Sequence, residues 1–150
     1  MTSFDIRLQR VIDATPDAAF HHWVDADARR NWYAPEEGWI VEAQTDLRVG
    51  GAWSVSFGPT PDEMYHDEGV FEVVEPPHRL VYTAVMRFPG RDSFETRISV
   101  TFQETPDGKT LMTLFDRGYP SKERRDEHER GWPAFLDAFE RTLAPFTRQD

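Results

Sequence analysis

The sequence predicts an α+β fold: a twisted antiparallel sheet of about seven strands curled round one long C-terminal helix, in the order β-αα-β6-α. Three observations carry that prediction. From Ser121 to about Phe146, the residues Trp132, Phe135, Leu136, Phe139, Leu143 and Phe146 recur at steps of three and four, which puts one apolar stripe on one helix. From Trp39 onward the apolar residues change to a period of two and hold it for about eighty residues, punctuated by Gly and Pro turns. Ahead of that region, two short helical patterns follow an opening strand directly. A long helix with one apolar face needs a concave partner, and a meander apolar on one side supplies it.

In order, Phe4, Ile6, Leu8 and Ile12 alternate with mostly polar neighbours and predict a half-buried strand, with Arg10 on its apolar side. Thr15-Pro16-Asp17 is a helix start: a capping hydroxyl, a proline where no N–H is needed, and an acid near the positive helix end. Ala19, Phe20, Trp23 and Val24 make its inner face, and Asp25 restarts a second helix through Asn31. Ile40 to Asp46, Trp53 to Phe57, Gly69 to Val74, Leu80 to Met86, Phe94 to Phe102 and Thr110 to Asp116 are the six later strands. Gly50-Gly51, Pro76-Pro77, Pro89-Gly90 and Pro106-Asp107-Gly108 separate them. Ser121 caps the last helix, whose roughly 26 residues at ~1.5 Å each make a rod of about 39 Å. Lys122 to Arg130 is charged almost throughout, which predicts a solvated outer half. Pro133 cannot donate to the carbonyl of Glu129, so a kink or fresh start is expected at Gly131–Pro133.

Composition narrows the function. The 150 residues predict one domain with its own core. No cysteine is present, which removes disulfides and thiolate chemistry. A net charge of −10 argues against nucleic acid and anionic membrane surfaces as partners. The Met1–Asp5 start lacks a signal pattern and no apolar run approaches ~18 residues, so a cytoplasmic protein without membrane insertion is expected. Aromatic residues are 13% of the chain, including five tryptophans, so the apolar volume is concentrated in a few large rings, which either fill the core, the commoner outcome, or leave a void as a pocket.

A set of markers lies along this frame: Arg10 with Ala14-Thr15-Pro16, Trp32-Tyr33-Ala34-Pro35, Asp46 with Gly50-Gly51-Ala52-Trp53, Glu75-Pro76-Pro77-His78-Arg79-Leu80-Val81-Tyr82-Thr83, Gly118 and Gly131-Trp132. In this order, from about residue 6 to 144, they resemble the START-like helix-grip superfamily, also called SRPBCC, the fold of the birch-pollen allergen. Within it, the chain is most similar to bacterial homologues of the C-terminal domain of the heat-shock-protein ATPase activator. The resemblance implies a cavity between sheet and final helix. It implies three kinds of function: binding of a small hydrophobic or aromatic molecule, a polyketide-cyclase or aromatase-like reaction, or regulation of a chaperone ATPase. Function belongs to the site rather than the fold, so the residues must discriminate.

The expected ligand-binding residues are those predicted to face inward: Trp53, Phe57, Phe71, Tyr82, Met86, Phe94 and Met112 from the strands, and Trp132, Phe135 and Phe139 from the helix. Arg10 and Asp116 join them as polar residues on inner faces. If the first and last strands pair, these two can meet, either as a ligand anchor or acid/base group, or as a structural ion pair or a strand end already in water. No metal site is expected. In Met64-Tyr65-His66-Asp67-Glu68 neighbouring side chains alternate faces, and His21 and His22 lack the i, i+4 spacing of helical ligands. His128 reads as solvated, His21 as surface and His22 as core-edge. Neither a phosphate-binding glycine loop nor a nucleophile–base pairing occurs, so no cofactor and no catalytic residue is assigned. Oligomeric state stays open, a homodimer being one arrangement the pattern allows.

Overall fold

The computed structural model describes residues 4–33 and 38–147, with side chains described as far as Leu143. Ala34, Pro35 and Phe146, invoked above, therefore lie outside the described residues or side chains. Strand β1 (Phe4–Ile12) leads into helices α1 (Pro16–Val24) and α2 (Ala26–Trp32). Six strands follow: β2 (Ile40–Thr45), β3 (Ala52–Gly58), β4 (Tyr65–Glu75), β5 (Arg79–Arg87), β6 (Glu95–Glu104) and β7 (Thr110–Tyr119). Helix α3 (Lys122–Thr147) closes the chain. Every strand pair is antiparallel, in the order β1-β7-β6-β5-β4-β3-β2, so the meander ends with its last strand beside its first. The predicted α+β helix-grip architecture is present, and no helix among the described residues is long and apolar enough to cross a membrane.

Local chemistry sets the corners. The Thr15 hydroxyl accepts from the Ala18 N–H at 3.3 Å, with Pro16 at the first helical position. Asp25 serves two helices at once. Its N–H donates to the His21 carbonyl at 2.9 Å to finish α1, and its carboxylate accepts from the Ala28 N–H at 3.0 Å to begin α2. Ser121 accepts from the Arg124 N–H at 3.2 Å at the start of α3.

Two expectations about α3 are corrected. The helix runs unbroken through Gly131 and Pro133, so there is no fresh start at this point. Glu129 and Pro133, about one turn apart on the helix, are both exposed, so the carbonyl that Pro133 cannot bond is left to water. The outer half is also less solvated than its charge suggests. Arg124 to His128 are half-buried, because this stretch lies against Phe94 and Tyr119.

The core forms where α3 meets α1, α2, β1 and β7. Phe139 is fully buried, with ring centroids 5.0 Å from His22, 5.2 Å from Trp23 and 5.3 Å from Trp32. The indoles find acceptors inside the protein: Trp23 donates to the Tyr82 hydroxyl, Trp32 to the His22 carbonyl, and Trp53 to the Thr83 carbonyl. Gly69 makes room for the last of these, since a Cβ there would lie 2.9 Å from Trp53 Nε1 and collide with the Thr83 backbone.

Candidate functional site

Between the inner end of β3–β7 and α3 a cavity of about 280 Å3 stays open. Its walls are aromatic. Tyr33 from the end of α2, Trp39, Phe57 from β3, Tyr65 from β4, and Trp132 and Phe135 from α3 all line it. Tyr33 lies 5.3 Å from Phe57 and 5.2 Å from Phe135, and Tyr65 stacks on Phe57 at 5.2 Å. Ala84, Met86, Phe94, Thr96 and Ile98 line it from β5, β6 and the turn between them.

Two carboxylates interrupt this apolar surface. Asp67 on β4 is 4% exposed and Asp116 on β7 is 2% exposed. The Tyr33 hydroxyl donates to Asp67 Oδ2. The Tyr119 hydroxyl donates to Asp116 Oδ2, which also accepts from Trp132 Nε1 at 3.2 Å. The other oxygen of each, Oδ1, is buried without a hydrogen-bond partner.

Burial is the dominant influence on both acids, because a charge in a low-dielectric site is poorly solvated. It pushes Asp67 up to about 6, helped by the charge of Asp116 and opposed by the Tyr33 hydroxyl and Arg29. It pushes Asp116 up to about 6 as well, against Tyr119, Thr96 and Trp132. Burial likewise raises the tyrosines Tyr33 and Tyr119, with the adjacent aspartate adding to it in each case. His128 lines the same cavity, and burial holds it below the usual histidine range.

Arg29 is the buried cation behind this group, at 1% exposure. Its Nε donates to the Trp23 carbonyl at 2.7 Å, and its guanidinium carbon lies 5.0 Å from the Trp53 ring centroid. It acts on Asp67 by charge alone.

The twelve expected residues divide. Phe57, Met86, Phe94, Asp116, Trp132 and Phe135 line the cavity. Phe71, Tyr82, Met112 and Phe139 are packed shut in the core, and Trp53 is packed against Tyr82 at 5.3 Å with an edge on a separate, more open hollow over β2–β4. Arg10 and Asp116 do not meet. In the β1–β7 register Arg10 faces Met112 and Asp116 faces Ile6, about 13 Å apart along the strands. Arg10 instead reaches α3 and pairs with Asp137 at 2.6 Å and Glu140 at 2.7 Å, so the expected Arg10–Asp116 contact is corrected: Arg10 is taken up by α3 and Asp116 stands in the cavity without it.

Sequence reading missed Asp67, Tyr65, His128, Tyr119, Tyr33 and Trp39. For three of these a signal existed. Counting back by twos from Phe71 puts Asp67 and Tyr65 inward, had β4 been started four residues earlier. Counting back four from Trp132 puts His128 on the stripe, which corrects its reading as solvated. Tyr119 had none. Its inward direction breaks the alternation of Met112, Leu114 and Asp116, because Gly118 takes a φ of +101° and turns the strand between them.

Among the described residues no group of three or more histidine or acidic side chains is placed to share a metal ion.

Residues 13–144 match the sequence profile of a family described as "Activator of Hsp90 ATPase homolog 1-like protein". Solved structures give the same fold. A protein of Chromobacterium violaceum superposes with a TM-score of 0.77 at 25% identity, over 97% of this chain and 99% of that one. An AHSA1-like protein from Aeromonas hydrophila gives 0.78 at 22% identity, over 98% and 97%. CalU16 from Micromonospora echinospora gives 0.66 at 23% identity, over 95% of this chain and 78% of that one. No protein of curated function matches the chain.

Proposed function

The chain belongs to the activator of Hsp90 ATPase homolog 1-like family, and on that footing we propose that its cavity binds a small, largely apolar or aromatic molecule. One observation carries this reading: about 280 Å3 remains open inside a wall of rings, between the sheet and the C-terminal helix. Empty apolar volume in a core costs stability, and a site with a few polar groups set in aromatic surface is the usual form of a small-molecule pocket. In this reading Trp132 and Phe135 form the roof on α3, and Phe57, Met86 and Phe94 form the wall on the sheet side. The protein works in the cytoplasm, on a small molecule rather than nucleic acid or a membrane.

The test is native mass spectrometry on freshly purified protein, compared with the same sample denatured. A reproducible small mass lost on unfolding is the expected result. Trp132→Ala should keep the fold and lower retention. A folded Trp132→Ala protein with unchanged retention would count against the reading.

A second reading is favoured by the two carboxyls held near 6 inside the cavity. Groups that titrate near neutrality beside a substrate can pass protons, as a cyclase or isomerase requires. Its signature is turnover with a pH-dependent rate that Asp116→Asn removes. Equal rates in wild type and variant would exclude Asp116 as acid or base. Chaperone-ATPase regulation, which the family description suggests, ranks third, and a pull-down without a chaperone would remove it.

A further inference from the structure

We propose that the ligand of this cavity is a cation, a primary amine or similar ammonium carried on an apolar or aromatic body, held against Asp67 and Asp116. The inference rests on the binding reading above and narrows it to a chemical class.

Charge is the first argument. Asp67, Asp116 and Glu127 line the cavity, and among the described residues no Lys or Arg does. Glu127, nearest the start of α3, is already held by Arg91 at 3.0 Å, so the unanswered charge is that of the two aspartates. His128 is kept largely neutral by burial and does not offset them. A fatty acid, a phosphate ester or any other anion would enter against this field, and the net charge of −10 adds to the bias toward cations.

Valence is the second. Asp67 Oδ1 and Asp116 Oδ1 are buried acceptors with no donor. Such atoms are rare in folded proteins, and an N–H from outside the chain is what they lack. The Tyr33, Tyr119 and Trp132 donors go to the Oδ2 atoms, and the Thr96 hydroxyl adds a contact to Asp116, so Asp67 Oδ1 is the more fully unanswered of the two.

Counter-ions are the third. Arg29 is the buried cation of this region; its Nε is held by the Trp23 carbonyl and its guanidinium lies over the Trp53 face, while its Nη1 has no hydrogen-bond partner and reaches neither aspartate. One arginine balances one carboxylate at most. With both aspartates ionised, a single positive charge is missing, and an ammonium supplies it. The walls suit the same guest, since Trp39, Tyr65, Phe57 and Trp132 offer ring surfaces that attract both a cation and an aromatic body.

The experiment is calorimetry at pH 7.5 with two probe sets that differ in charge and little in shape. One is tryptamine, 3-ethylindole and indole-3-acetate; the other is phenethylamine, propylbenzene and phenylacetate. Each amine should bind about tenfold or more tighter than its neutral counterpart, and each acid weakest, as expected for a charge-assisted contact in a dry site. In Asp67→Asn and Asp116→Asn the amine-to-neutral ratio should fall toward one, while the neutral probe stays within about twofold of wild type. Neutral probes binding as tightly as amines, or acids binding best, would overturn the cation and leave the binding reading standing. Silence from both whole sets would overturn the binding reading itself, and the cation with it. The wild-type panel decides the matter even if an aspartate variant does not fold.

Discussion

The inner face of the sheet has two halves built from the same kinds of residue, and they behave differently. Around Trp23, Trp32, Tyr82 and Phe139, ring meets ring and each indole N–H has an acceptor within the chain, so the space is filled. Around Phe57, Tyr65, Trp132 and Phe135 the rings also pair, at 5.2 to 6.3 Å, but one side of the group faces a cavity. The difference lies in the polar residues between them. In the filled half these are a neutral histidine, His22, hydrogen-bonded to Thr142 at 2.8 Å, and an arginine lying on rings. In the open half they are two carboxylates, whose free oxygens cannot be covered by hydrocarbon without loss. Aromatic content alone does not make a pocket. The open half is the one that also holds two buried acceptors without a partner, Asp67 Oδ1 and Asp116 Oδ1.

The comparison breaks most visibly by truncation. Phe139→Ala in the filled half should lower stability by about 3–5 kcal/mol, while Phe135→Ala, half-buried on the cavity, should cost about half that or less. Denaturant unfolding measures both, and equal losses would abolish the distinction.

Next in size is the response to pH, which should have opposite sign in the two halves. Asp67 and Asp116 stand at about 6 when folded against an ordinary 3.8, so the folded state binds their protons more tightly. The stability each contributes is present below about pH 4 and is lost as pH rises through 6, to a limit of about 3 kcal/mol per group. His22 stands at about 4 against 6.5, so its contribution is present above pH 6.5 and is lost as pH falls toward 4. Asp116→Asn should therefore gain on wild type by up to about 3 kcal/mol between pH 4 and pH 7. A difference that stays flat across that range would mean that Asp116 is not held in its neutral form.

A smaller effect sharpens the picture of the acid itself. Trp132→Phe keeps a ring in the roof but removes the indole donor, at a cost of about 1 kcal/mol. Because that donor favours the ionised form, the Asp116 carboxyl should titrate higher still in the variant, as followed by its side-chain carbon resonance. The smallest effect belongs to Arg10→Met. Its pairs with Asp137 and Glu140 are partly solvated, so the change should cost under about 1 kcal/mol and leave ligand binding unaltered.

Much of this was legible in the chain. The strand order follows from alternation and turn residues, and the apolar stripe of α3 from Trp132 to Leu143 follows from its three-and-four spacing, because both patterns are local. Caps at Thr15, Asp25 and Ser121 could be read for the same reason. Within the site, Asp67 and His128 were recoverable by carrying the period of two or of three and four a few residues further. Periodicity reports the face a side chain takes. It does not report how far along that face the neighbouring element reaches, so Phe71, Tyr82 and Phe139 looked as eligible for the cavity as Phe57, Phe94 and Phe135.

By itself, then, the sequence determined which residues turn inward, where helices begin, and that acids would outnumber bases, since each of these depends on neighbours in the chain. Tertiary structure alone decided which inward rings touch. It placed Arg10 on α3 rather than beside Asp116, through a register offset of four residues between β1 and β7. It brought Tyr119 inward through the turn at Gly118, and it set Asp116 near enough to Asp67 for its charge to help raise that acid. Those outcomes depend on strand register and sheet curvature, which are set by the packing of distant segments and have no local period to read.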